Sequence, residues 1–252
     1  MRLTTPAWVL RRVRWSESSL IVALYSLDCG RISVMAKGAL RPDSHFAGAL
    51  ELFSGIEATV SRREGRELDT LTDACVTRPS AGLRSDPMAF AFAGLWSEWV
   101  MALLSGNEPS QQAFHLTAEV FGELGSGAPG WPVVCSGVEK LLSLTGLGLE
   151  TDRCTRCGRP AGPSTAWNHS SGGAICLQCA ADSGDFNPPA GIVGFLRMCR
   201  KAPLGAVRRT RLWKGGFRQC HDFLREFAEA HVQGRLRFRS LAVLEDLENG
   251  VR

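Results

Sequence analysis

Apolar and polar positions in the first third of the chain follow a two-residue period or run in short apolar blocks. TPAWVLRRV (residues 5–13) alternates towards a strand, and SLIVALYSL (19–27) is a continuous β-rich run. Asp28-Cys29-Gly30 supplies a turn in which Gly30 can take positive φ, and RISVMAKGA (31–39) returns as the partner strand of a hairpin. FSGIEATVSRREGRELDTLTDACV (53–76) gives another pair, turning at Arg63-Glu64-Gly65. About five short strands in so little chain predict a small closed barrel rather than a parallel sheet.

The period changes near Pro79. From Pro87 onward Phe90, Leu95, Val100 and Leu104 recur with Phe92, Trp96 and Trp99 at helical spacing. Further amphipathic helices are expected over 111–124, 132–147, 191–202, 217–233 and 240–249, with the loop GSGAPG (125–130) between the first two. The reading is a multi-domain α+β protein. A barrel spans 1–80, a helical domain 81–150 and 183–252, and a cysteine-bearing insertion at 151–182 interrupts that one helical body.

That insertion carries the strongest chemical signal. Cys154 and Cys157 in CTRC, then Cys176 and Cys179 in CLQC, form C-x2-C-x18-C-x2-C, the spacing of two thiolate knuckles around one structural Zn2+. Four sulfurs leave no open position for a substrate. A redox CxxC needs one pair at a helix start rather than two matched pairs. His169 lies between the pairs and is expected to be an exposed loop histidine. The other five cysteines (Cys29, Cys75, Cys135, Cys199, Cys220) are read as small buried hydrophobes.

Composition narrows the class. The chain has 252 residues, 44% of them hydrophobic, and no run of about 18 uncharged apolar residues that would cross a membrane. The opening MRLTTPAWVLRRVRW has no secretory h-region before its arginines, so a cytoplasmic, nucleoid-associated protein is expected. HExxH, GxSxG, the Walker phosphate loop and the zinc-deaminase signature are all missing from the sequence, and no carboxylate pair stands out, so a non-enzyme is predicted.

Charge then points to a polyanion. The net charge of +4 divides into +2 over residues 1–80, −5 over 81–150 and +7 over 151–252. In the barrel Arg11, Arg12 and Arg14 flank Trp15, Arg31, Lys37 and Arg41 sit on or beside the hairpin, and Arg62, Arg63 and Arg66 surround the last turn. Trp15, Phe46 and Phe53 are candidate stacking aromatics, although most aromatics of a small barrel fill its core. Downstream lie Arg197, Arg200 and Lys201, then Arg208, Arg209, Arg211 and Lys214, then Arg235, Arg237 and Arg239. One such run is ordinarily a solvated face; three beside a metal insert suggest phosphate contact.

Five segments, in order over nearly the full length, carry a resemblance: WVLRRVRWSESSLIVALYSLDCGRISVMAKGALRP, LELFSGIEATV, LLSLTGLGLETDRCTRCG, GGAICLQCA and GRLRFRSLAVLEDL. The chain resembles the bacterial DNA repair RecO family of recombination mediators. Ala36-Lys37-Gly38 with the following basic residue is the most specific piece. Ser16-Glu17 stands where the family often has Gly before the glutamate, which bears on a turn. Some members lack the zinc cysteines, which implies that the metal is a staple.

The resemblance implies an N-terminal OB-fold barrel, then a helical bundle bearing a zinc finger. It implies binding of single- and double-stranded DNA, annealing of complementary strands and, with RecR, loading of RecA onto DNA coated with single-strand-binding protein. Further implied partners are RecR itself and the C-terminal tail of that coating protein. The DNA-contact residues would be Lys37, Arg41, Arg11, Arg14 and Arg31, with Arg197 and Arg200 beyond the insertion. Phe195, Leu196, Phe223 and Phe227 beside Arg197 and Arg200 are expected to form a groove for the acidic, apolar tail. The rival readings are an OB-fold and zinc-ribbon adaptor binding RNA or protein in transcription or translation, and a metalloenzyme.

Overall fold

The structure, a computed structural model, describes residues 1–62, 68–104, 106, 108–162, 166–180, 186–232 and 234–250. The expected turn at Arg63-Glu64-Gly65 lies outside the described residues. Five strands, β1 (Arg2–Arg14), β2 (Leu20–Ser26), β3 (Gly30–Ala36), β4 (Gly55–Ser61) and β5 (Asp69–Arg78), close into a barrel in the order β1-β2-β3-β5-β4. All pairs are antiparallel except β3–β5, which closes the barrel through Val34↔Asp69 and Met35↔Thr70. β1 is long enough to serve two partners, β4 along its first half and β2 along its second. The register slips between Val9 and Arg11, where a bulge bends the strand around the barrel.

The alternating pattern accounts for the interior. Val22, Leu24, Ile32, Val34, Ile56, Ala58, Val60 and Leu71 are all buried in one core. β2 reads as a continuous apolar run because its other face is covered too: Tyr25 is fully buried and its hydroxyl donates to the Ser110 carbonyl. Gly30 is required twice. Its φ is +64°, and a Cβ there would collide with the Glu108 carbonyl.

Helices α1 (Ala81–Arg84), α2 (Pro87–Leu103) and α3 (Gln111–Gly125) follow the barrel. Asp86 caps α2 by accepting from the Met88 amide at 2.9 Å, with Pro87 at the first helical position. Trp96, Trp99, Leu95 and Val100 are buried all round α2, as a central helix requires.

The helices do not form one body. The chain divides into two compact units, residues 1–127 with 239–252, and residues 128–238. The last helix, numbered α8 (Ser240–Glu248) in chain order, packs on α2 in the first unit. Glu98 of α2 accepts from the backbone amides of Arg239 and Ser240 at 3.0 and 3.2 Å, satisfying the start of α8 across 141 residues of sequence. A Cβ on Gly94 would sit 2.7 Å from Ser240 Oγ, so glycine permits the close approach. Sequence order alone does not reveal which helices Glu98 and Gly94 collect.

The second unit contains α4 (Gly130–Leu144), β6 (Ala166–Asn168), β7 (Gly173–Ile175), α5 (Leu177–Ala180), α6 (Ala190–Lys201), a 3-10 helix (Leu204–Arg209) and α7 (Gly216–Glu229). α4 packs against α6, α7 and the 3-10 helix. Lys140 ties it to the end of α6, donating to the carbonyls of Cys199 and Ala202 at 2.8 and 2.7 Å. Phe195, Leu196, Phe223 and Phe227 are buried in this unit rather than exposed along an open groove. They are the apolar stripes by which α6 and α7 pack. Cys29, Cys135, Cys199 and Cys220 are buried as expected, whereas Cys75, near the outer end of β5, is exposed.

Candidate metal centre and nucleic-acid interface

The two cysteine pairs sit on tight turns. The Gly158 amide donates to the Cys154 carbonyl at 2.8 Å, with Gly158 at φ +72°. The amides of Cys179 and Ala180 both return to the Cys176 carbonyl, at 2.9 and 3.0 Å, as α5 begins. The Thr155 amide donates to Ala174 at 2.9 Å and joins the two turns. All four Sγ atoms consequently lie within 4.8 Å of one another, with Cys157 and Cys176 sulfurs 3.7 Å apart. A tetrahedron of sulfurs about 2.3 Å from a zinc ion has edges of about 3.8 Å, so the donors fit one such ion.

Their electrostatics favour a cation. Desolvation works to raise the Cys154 pKa, but backbone amides at Cys176, Cys157 and Arg156 outweigh it and bring the thiol down to about 6. Cys179, hydrogen-bonded by the thiols of Cys176 and Cys157, is pushed up to about 12. One thiolate forms readily and disfavours the next; a divalent cation removes that conflict.

His169 is not an exposed loop residue, which corrects the expectation. Its ring stands 5.0 Å from both Phe186 and Phe223, and Nδ1 accepts from the Trp167 indole N–H at 3.2 Å. Nε2 lies 3.6 Å from the Glu226 carboxylate. Burial, with the nearby His231 adding to it, lowers the His169 pKa to about 4. The cysteine cluster does not include it.

The barrel gathers part of the predicted basic set at one end. Register places Arg14 of β1 opposite Leu20 of β2, which in turn faces Ala36 at the end of β3. Lys37 follows immediately. The Leu40 amide donates to Ser18 at 3.0 Å and the Arg41 amide to Gly38 at 3.1 Å, fixing the Lys37–Arg41 loop beside the β1–β2 turn. Arg14 braces that turn by donating to the Ser16 and Glu17 carbonyls. Lys37, Arg41, Arg11 and Arg14 are exposed and meet no carboxylate among the described residues. Trp15 is 66% exposed beside them, while Phe46 and Phe53 are core.

Three other predicted contacts are engaged within the protein. Arg31 donates to the Met101 carbonyl at 2.8 Å, near the end of α2. Arg197 donates to the Thr151 carbonyl at 2.5 Å and pairs with Asp152 at 2.8 Å. Arg200 lies 3.4 Å from Glu139, a carboxylate only 1% exposed whose pKa burial raises against the pull of Arg200. An aromatic that charge counting overlooked is Trp213, 42% exposed between Arg211 and Lys214. An aromatic set among cations was the signal available for it.

Residues 1–79 match the family described as "Recombination protein O N terminal", and residues 84–240 match "Recombination protein O C terminal". Curated relatives agree. The "DNA repair protein RecO" of Anaeromyxobacter dehalogenans (strain 2CP-C) is 32% identical over 234 residues, covering 92% of each chain. That of Rubrobacter xylanophilus is 32% identical over 230 residues, covering 89% of this chain and 88% of its own. That of Desulfosudis oleivorans is 27% identical over 257 residues and covers 98% of both.

Proposed function

This chain belongs to the RecO family of DNA repair proteins, and from that premise we propose that it is a non-enzymatic recombination mediator. It binds single- and double-stranded DNA, anneals complementary strands and, with RecR, helps load RecA onto DNA coated with single-strand-binding protein. The observation that carries this reading is the barrel-end group of Lys37, Arg41 and Arg14 with exposed Trp15, with no carboxylate against these cations among the described residues; Arg11, also exposed, lies on the other face of β1. Annealing brings two polyanions together, so it calls for spread positive charge that displaces counterions rather than for reading of base edges. Trp15 adds a surface on which an unpaired base can stack.

Arg31 instead ties the barrel to the Met101 carbonyl of α2, and Arg197 and Arg200 hold α6 within the second unit through Asp152 and Glu139. Cys154, Cys157, Cys176 and Cys179 would hold one structural Zn2+, which supplies a fixed cross-link between the two turns. The contacts with RecR and with the tail of the coating protein belong to the same proposal.

The test is oligonucleotide affinity against salt, at roughly 50 to 300 mM. Wild type should weaken steeply, and Lys37→Gln/Arg41→Gln should lower the log–log slope by about 2, one for each phosphate contact removed. A flat salt response in the wild type defeats the reading.

A further inference from the structure

The second unit carries a basic surface that the barrel-end site does not use. From Phe186 to His221 there is no Asp or Glu, against eight Lys and Arg. Four of the eight are matched: Arg197 and Lys201 by Asp152, Arg200 by Glu139, and Arg218 by Asp222. Arg209, Arg211 and Lys214 are exposed and meet no carboxylate among the described residues. Arg211 instead donates to the carbonyls of Arg208 and Thr210, which holds the segment after the 3-10 helix in a fixed curve.

Trp213 lies inside this cluster in a built position. A Cβ on Gly191 would come 2.8 Å from Trp213 Cζ3, and one on Gly216 would come 2.9 Å from Cδ2. The indole therefore rests on the backbone at the starts of α6 and α7, where only glycine leaves room. The Gly216 amide donates to the Trp213 carbonyl at 2.9 Å and fixes the residue's own main chain. Yet 42% of the side-chain-bearing residue stays exposed. A large ring immobilised against backbone on one side and open on the other, among cations that meet no carboxylate among the described residues, has the makings of a stacking platform.

We propose that Trp213, with Arg209, Arg211 and Lys214, forms a second nucleic-acid site that takes single-stranded DNA, one base stacking on the indole and adjacent phosphates meeting the cations. The proposal rests on the DNA-binding reading above and deepens it. Annealing needs two strands held at once, and this site lets each compact unit hold one. An unpaired base is the occupant because a duplex keeps its base faces stacked inside, out of reach of an indole on a surface.

The test uses the full chain, three probes and two backgrounds. The probes are a thymidine 20-mer, an abasic 20-mer of equal charge and a 20-base-pair duplex. In the Lys37→Gln/Arg41→Gln background, which weakens the barrel site, Trp213→Leu should reduce thymidine 20-mer affinity roughly five- to a hundredfold and leave the abasic and duplex probes unchanged. Trp213→Phe, which keeps a ring, should stay within about threefold of its parent. Arg209→Gln/Lys214→Gln should weaken all three probes and lower the salt slope by about 2. Melting temperatures measured alongside show whether a variant folds; equal losses from Leu and Phe mean that Trp213 acts through folding, which overturns the proposal. It is also overturned if Trp213→Leu binds the thymidine 20-mer as its parent does, if it loses the duplex equally, or if the Lys37→Gln/Arg41→Gln background binds nothing. Should otherwise wild-type protein ignore all three probes, the DNA-binding reading itself fails.

Discussion

The barrel and the cysteine-bearing segment are stabilised in opposite ways. The barrel buries seventeen residues in one apolar cluster and closes its sheet through the short β3–β5 pairing. Among the described residues, the cysteine segment has a buried cluster of Cys154, Ala166 and Ile175 with Cys176, Cys179 and Ala180 packed on it, and its sheet is two strands of three residues each. A hairpin that small is marginal in water on its own. The lesson is that one chain can assign stability to apolar area where a binding surface must be rigid, and to four thiols where too little area is available.

Breaking the cysteine side should give the largest effect. Zinc binding to comparable small modules is worth about 10–16 kcal/mol in apparent free energy near neutral pH, and that energy is also folding energy. Chelation, or Cys154→Ser/Cys157→Ser, should open residues 150–180 to limited proteolysis while the β-rich circular dichroism of the barrel persists. Metal analysis of the purified chain should return one zinc. An intact 150–180 segment after complete metal removal would show that the thiols are not its staple.

Breaking the barrel side should cost less and leave the metal in place. Ile56 is fully buried, and Ile56→Ala should cost about 2–5 kcal/mol, the transfer term plus the cavity left behind. The readouts are a lower midpoint in denaturant and an unchanged zinc content. Loss of zinc together with the barrel would mean that the two regions do not stand separately.

The smallest effect sharpens the contrast through pH. His169 is held near pKa 4 against an ordinary value of 6.5, chiefly by burial among Trp167, Phe186 and Phe223. A lowered folded-state pKa means that the unfolded chain binds the extra proton between pH 6.5 and 4. Stability is then fully present above about pH 6.5 and drains away as pH falls towards 4, by about 2–3 kcal/mol at most. His169→Phe should flatten this part of the thermal-midpoint profile, with zinc content followed in parallel to separate it from thiol protonation. An identical slope in the variant assigns the acid sensitivity elsewhere.

The parts that could be read in advance were those governed by local pattern. The β2–β3 hairpin follows from two apolar runs around Gly30, and the observed Gly30 φ of +64° is what that reading required. The helices over 87–103, 111–125 and 216–229 follow from apolar spacing, with Pro87 marking the first start; the caps by Asp86 and Ser110 are seen in the structure. The four cysteines meet because C-x2-C closes a tight turn wherever it occurs. What could not be read were properties that depend on neighbours distant in sequence. Arg197 and Arg200 look like free cations until Asp152 and Glu139 are placed beside them. His169 looks like a loop residue until Phe186 and Phe223 close over it.

The amino-acid order therefore determined the elements, the barrel class, the thiol tetrad and the family, because each is written in short-range spacing and composition. Tertiary structure alone decided which charges remain unmatched, which aromatics face water, and that the last helix joins the first unit through Glu98. These depend on packing between segments as much as 141 residues apart, and burial and pairing at that separation have no local signature.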